Sequence, residues 1–156
     1  MENKRKIDEY IPKAIDALNS VHNNENKRIV ENGKINKTFS GQIATFAVAV
    51  STSSLLSAVA FFSDNGSSSV ERSLLMDAIY KVIKNDESTD KTKQYPNNAE
   101  NRKLLEYVKR EYEKYEESKN RLAYNRVKED ILNAAIAVKL AMNFYELIDD
   151  SDKGKQ

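Results

Sequence analysis

The side chains with the clearest chemical use lie between Arg102 and Lys128, where nine Lys or Arg stand against five Glu, a local excess of +4. Tyr107, Tyr112, Tyr115 and Tyr124 are interleaved with them. Cations neutralise phosphates and aromatic rings stack on bases, so this run is the candidate nucleic-acid surface. The same residues also fit a plainer pattern. Glu106 with Arg110, and Glu117 with Arg121, stand four apart, the spacing of ion pairs on an ordinary solvated helix face. Discounting those pairs leaves Arg102, Lys103, Arg126 and Lys128 as the less neutralised cations.

Two lysines elsewhere stand out by their surroundings. Lys139 is the only charge between Ile131 and Tyr145. An ammonium on an otherwise apolar helix must snorkel, pair within the chain, or meet an anion from outside. Lys37 opens an uncharged stretch, and a helix starting there would offer free N–H groups to an anion. Lys37, Arg126, Lys128 and Lys139 are therefore the expected nucleic-acid-binding residues.

Other chemistry finds little footing. His22 is the single histidine, and at a helix end it reads as a capping or solvent-exposed group. There is no cysteine, no Walker A loop, no dinucleotide fingerprint and no HExxH spacing. Asp149-Asp150-Ser151-Asp152 groups carboxylates of the kind that hold hard cations, but in a polar tail it reads as a solvated acidic end. The expectation is a protein that is not an enzyme and has no cofactor or metal.

These residues must be positioned by helices. The chain has 156 residues, 31% of them charged, with 25 Lys plus Arg against 24 acids, so net charge names no partner. Its length suits one domain. Four Gly and two Pro leave little room for the turns of a β-rich fold, and the expected class is all-α. Zero cysteines fit a cytoplasmic protein, and MENKRKIDEY has no apolar h-region, so no signal peptide is expected.

Spacings of three and four predict a first helix over 4–22, beginning at Pro12 or kinked there, with Asp8 as a cap if it begins late. A short element follows over Lys27–Glu31, then the turn Asn32-Gly33. Thr38 to Ser63 contains no charge, and from Ile43 to Phe62 fourteen residues are apolar and six are Ser or Thr. Four of those six form the block Ser51–Ser54, which predicts a helix break with Ser54 as a fresh N-cap. The stretch is expected to be a buried helix pair, about 37–51 and about 54–63. The alternative is a membrane-associated protein using 43–62, but the stretch lacks aromatic anchors at its flanks. Ser68 and Glu71 suggest a capping box for a helix over 69–84. An exposed loop is expected over about 85–98, then helices over 99–117 and 120–148 broken near Ser118-Lys119-Asn120. The last is alanine-rich and apolar on nearly every side. The domain is expected to span 1–150 as a compact bundle of about five to six helices, with a disordered tail over 151–156.

Phe39, Gly41, Ile43 and Phe46, then Ser54-Leu55-Leu56 and Ala58–Phe62, resemble the small helical subunit of the Cmr complex, the type III-B CRISPR RNA-guided effector. Arg126–Ile131 with the Ala134–Tyr145 run resembles that family's last helix. The likeness covers about 5–22, 35–84 and 120–148. Ser54 stands where the family carries glycine, and Met142–Tyr145 where it often carries tryptophan and a Lys-Arg pair. The resemblance implies a non-catalytic structural subunit, stacked in several copies beside other Cmr subunits and touching CRISPR RNA and target RNA through phosphates. Without the resemblance, the residues describe a generic helical protein-interaction module.

Overall fold

Helix α6, Arg121–Ala141, is the element on which the others pack. The computed structural model describes residues 2–66, 68–84 and 102–149. Around α6 stand α1 (Glu2–Ser20), α2 (Lys37–Thr52), α4 (Ser73–Lys84) and α5 (Lys103–Ser118), with the short α3 (Leu55–Phe62) laid against α2 and α5. Four neighbours fit round one helix because its inward positions are small. Ala134, Ala135, Ala137 and Ala141 are buried alongside Ile131 and Val138, which lets the backbones approach closely. The mainly helical bundle expected from the sequence is present. The loop expected over 85–98, the first residues of the expected 99–117 helix and the tail over 151–156 lie outside the described residues.

A small sheet accompanies the bundle: β1 (Val30–Glu31), β2 (Lys34–Asn36) and β3 (Glu146–Ile148). Asn32 and Gly33 both have positive φ, 55° and 75°, which closes β1 onto β2 as a tight hairpin. β3 joins β2 in parallel, Ile35 beside Leu147 and Asn36 beside Ile148. The last helix is therefore shorter than the expected 120–148. It tightens into a 3-10 turn over Met142–Phe144 and gives way to β3, whose backbone groups find partners on β2.

Pro12 neither starts nor ends α1. Its ring costs the helix a hydrogen bond to the Asp8 carbonyl, but both residues are on the exposed side, where water serves that carbonyl. Tyr10, Ala14, Ala17 and Leu18 on the other side are buried, and that burial outweighs the proline. Asp8 is inside the helix and caps nothing.

The uncharged stretch breaks where expected. Asn36 Oδ1 accepts the Thr38 N–H at 2.9 Å to start α2, and Ser54 Oγ accepts the Ser57 N–H at 3.1 Å to start α3. Only one stripe of α2 is buried, Phe39, Ile43, Phe46 and Val50. On its outer side the hydroxyls of Thr45, Ser51 and Thr52 donate to carbonyls four residues back, so this face is neither charged nor apolar throughout. Among the described residues no helix is long and apolar enough to cross a membrane.

The capping box at Ser68 does not form. The Glu71 carboxylate instead takes Asn65 Nδ2 and the Lys27 ammonium, while Asn65 Oδ1 accepts the Ser73 N–H at 3.0 Å. α4 accordingly begins at Ser73, a turn later than expected. Arg72 closes the preceding helix. Its Nε and Nη2 donate to the carbonyls of Asp64 (2.7 Å) and Phe61 (3.0 Å), and its guanidinium lies 4.3 Å from the centre of the Phe61 ring. A cation that satisfies carbonyls at a helix C-terminus also meets the negative end of the macrodipole. Arg72→Ala is expected to lower stability by about 2 kcal/mol, the sum of charge-assisted hydrogen bonds and a partly solvated cation–π contact. Arg72→Lys should recover only part of it. Urea unfolding checks both, and an unchanged midpoint for Arg72→Ala would remove the cap from the stability account.

Candidate nucleic-acid interface

The basic, tyrosine-bearing run forms a helical hairpin that leaves the core. Leu104 and Val108 are the last buried residues of α5, and Val127 is the first of α6. No side chain from Lys109 to Arg126 is buried. The bend is built locally. Lys119 takes the left-handed conformation, φ 57°, and its N–H closes on the Tyr115 carbonyl at 2.7 Å. Asn120 Oδ1 then accepts the Ala123 N–H at 3.1 Å and starts α6, while Ser118 Oγ accepts the Asn120 N–H.

Three tyrosines hold the arm together. Tyr115 and Tyr124 stack with ring centres 5.4 Å apart, and Tyr112 meets Tyr124 edge-on at 6.0 Å. The Tyr112 hydroxyl donates to Glu116, which raises the phenol's pKa and lowers that of the carboxyl. Burial raises Tyr124. The rings thus face one another first, and a base would stack on what remains outside the cluster.

The arm's cations exceed its anions, six (Lys109, Arg110, Lys114, Lys119, Arg121, Arg126) against four between residues 109 and 126. Its ion pairs are Lys114–Glu111 at 3.1 Å and Lys119–Glu116 at 3.6 Å. The pairs expected from spacing, Glu106–Arg110 and Glu117–Arg121, do not form among the described residues. For the second, the bend at Lys119 breaks the helical spacing.

The four expected contact residues are distributed rather than gathered. Arg126 is exposed at the base of the arm, and Lys128, two residues on, emerges on roughly the opposite side of α6. Lys139 lies about 16 Å along α6 from Lys128, on nearly the same side. It is exposed between Ile136 and Leu140, so it reaches water directly. The sequence suggested a helix apolar and covered on nearly every side, but among the described residues no element covers this outer strip. Lys37 sits at the start of α2, where the strand register Asn36–Ile148 carries on to bring it against Asp149 as an ion pair. The anion it meets here is the chain's own carboxylate.

A second set of cations and rings was not visible in the sequence. Lys84 on α4 lies 4.1 Å from the centre of the Tyr107 ring on α5, and Tyr80 meets Tyr107 edge-on at 6.5 Å. On α1, Lys6 and Lys13 stand 5.9 and 5.8 Å from the Tyr10 ring, and Lys6 pairs with Asp130 of α6 at 3.3 Å. Burial, then Glu111, pushes Tyr107 up to about 12, so its phenol stays protonated across the physiological range. The Lys6–Tyr10 and Tyr10–Lys13 spacings of four and three were the one available signal. The contacts between α4 and α5 had none.

His22 is exposed, with its Nδ1 3.1 Å from the Ser20 carbonyl at the end of α1, a capping arrangement. Among the described residues no three His, Cys, Asp or Glu come together as a metal site, and Asp150 and Asp152 lie outside them. Compared with known proteins, the chain matches no family model, no curated protein and no solved structure.

Proposed function

We propose that the chain is a non-catalytic structural subunit of an RNA-guided, RNA-targeting effector complex, contacting RNA through phosphates. The observation that carries the RNA part is the α5–α6 arm, which extends beyond the core with more cations than anions and three tyrosines. With Lys109, Arg110, Lys114, Lys119, Arg121 and Arg126 all exposed, the arm can lie along a strand. Phosphate contacts of this kind are sequence-independent and salt-sensitive. The class of assembly, type III-B CRISPR, comes from the resemblance in the Phe39–Phe62 and Arg126–Tyr145 segments. On that reading the protein acts in the cytoplasm of a prokaryote, copies stack head to tail beside other Cmr subunits, and cleavage belongs to those subunits. Arg126 and Lys128 are the leading RNA contacts, with Lys139 and Lys37 secondary, Lys37 having to leave Asp149 to take part.

A low-salt pull-down of tagged protein from its host tests the assembly. Repeat-tagged CRISPR RNA with larger Cmr-type proteins is the expected recovery, and protein eluting alone would overturn the reading. The contacts are tested in the assembled complex. Arg126→Ala with Lys128→Ala should weaken target-RNA binding and flatten its salt dependence, by about 0.7 in logarithmic slope per lost single-strand contact. An unchanged affinity and slope would remove both residues from the interface.

A further inference from the structure

The chain holds two Asn-Gly pairs, Asn32-Gly33 and Asn65-Gly66, and the fold treats them oppositely. This dipeptide can modify itself, because glycine has no Cβ to keep its backbone nitrogen from the preceding carboxamide. The Gly nitrogen gives up its proton and bonds to the Asn Cγ, the Cγ–Nδ2 bond breaks, and ammonia leaves with that proton. The succinimide ring that remains takes up one water. Opening at Cγ gives aspartate, whereas opening at the backbone carbonyl gives isoaspartate, whose main chain runs through the side chain. Nothing is oxidised or reduced.

Asn32 and Gly33 are both exposed at the tip of the β1–β2 hairpin. The Asn32 side chain makes no hydrogen bond among the described residues. A Cβ added to Gly33 would meet nothing within 4 Å, so the carboxamide and an attacking water have room. With Asn32 in the left-handed region, the Gly33 nitrogen is turned away from the carboxamide, and the turn must open before the ring closes. That opening is local, since β1 brings only two residues to the ladder.

At Asn65-Gly66 every reacting group is already held. Asn65 Nδ2 donates to the Glu71 carboxylate, and its Oδ1 accepts the Ser73 N–H at 3.0 Å. The Gly66 N–H donates to Asp64 Oδ1 at 3.3 Å. A Cβ on Gly66 would come within 3.4 Å of Arg72 Nη2, so the guanidinium crowds this glycine where Gly33 stands open. Freeing the Asn65 carboxamide would also take the cap from the start of α4.

We infer that Asn32 is a modification site, converting spontaneously to aspartate and isoaspartate, and that the clamp on Asn65 protects the second pair. The product sets a carboxylate beside Glu31, and isoaspartate adds a main-chain carbon to the two-residue turn that fixes the β1–β2 register. The inference does not rest on the RNA-guided reading and needs no partner.

The test incubates the full-length protein in mildly alkaline buffer and follows its tryptic peptides by mass spectrometry. Trypsin releases Asn32 in the peptide 29–34 and Asn65 in the peptide 38–72, so the sites are read separately. The first peptide should gain about 1 Da as its amide becomes a carboxyl, and divide into an aspartyl and an isoaspartyl form. In the folded protein Asn32 should react at least about tenfold faster than Asn65, the factor set by about one net hydrogen bond to a charged group. In urea the two rates should become comparable. Glu71→Ala should speed the reaction at Asn65 and leave that at Asn32 unchanged, with circular dichroism checking the fold. If that variant does not fold, the comparison of the parent chain with and without urea carries the test. An unmodified Asn32, an Asn65 that reacts as fast as Asn32 in the folded protein, a ratio unchanged by urea, or a folded Glu71→Ala with an unchanged Asn65 rate would each overturn the inference.

Discussion

Phe46→Ala should lower the unfolding free energy by about 3–5 kcal/mol, while Val48→Ala, two residues away on the same helix, should change it by less than about 0.5 kcal/mol. Phe46 is fully buried and meets Phe62 edge-on at 5.4 Å, so its ring joins α2 to α3 inside the core. Truncation removes the transfer energy of the ring, its aromatic contact and the packing of the space it filled. Val48 is 61% exposed and forfeits almost none of these. The contrast also separates this fold from the membrane alternative for 43–62, under which both side chains would lie at hydrocarbon depth and neither would stand in water. Urea unfolding followed by circular dichroism measures both variants, with slopes compared to confirm that the exposed surface on unfolding is unchanged. Equal losses at the two positions would contradict the one-sided burial of α2.

Where the deciding interaction is local, the sequence was sufficient. The Ser54 cap, the Asn32-Gly33 turn and the break at Ser118-Lys119-Asn120 each depend on side chains within three residues of the event. The mistaken expectations share the opposite property. α6 stops at Ala141 because β3 pairs with β2, more than a hundred residues earlier in the chain, and a strand of three residues has too little periodicity to announce itself. Pro12 is tolerated because α1 is held along its other face by α4 and α6. Glu71 leaves the expected capping box because Lys27 and Asn65 reach it first. The candidate interface divides in the same way. The interleaving of Tyr112, Tyr115 and Tyr124 with cations is written in the sequence, but their stacking on one another follows from the hairpin. Lys37 looked available to an external anion, and only the strand register reveals Asp149 beside it.

The second large effect concerns pH. Asp77→Asn should stabilise the protein by about 3 kcal/mol at pH 8 and by little or nothing near pH 4. Asp77 lies on α4 between the buried Met76 and Ala78, and burial pushes its carboxyl from 3.8 up to about 7, against the pull of Lys103 and Lys81. Burial also lowers the Lys81 amine, with Lys103 acting in the same direction, and its ammonium donates to Ser20 Oγ of α1 at 3.0 Å. Desolvation thus dominates for both members of the pair, and neither lysine fully compensates the carboxylate. The sign follows from proton binding. Between about pH 4 and pH 7 the folded state holds a proton on Asp77 that the unfolded state has released, so stability falls as pH rises through that window and levels off above it. A shift of about three units corresponds to about 4 kcal/mol at most, and asparagine keeps the shape while never ionising. Urea unfolding at pH 4.5 and pH 8 gives the comparison directly. A difference between variant and parent that is the same at both pH values would mean that Asp77 ionises normally in the folded state. A difference that grows with pH would locate a removable destabilising charge where α4 meets Lys103 of α5, at the base of the helix that carries the arm.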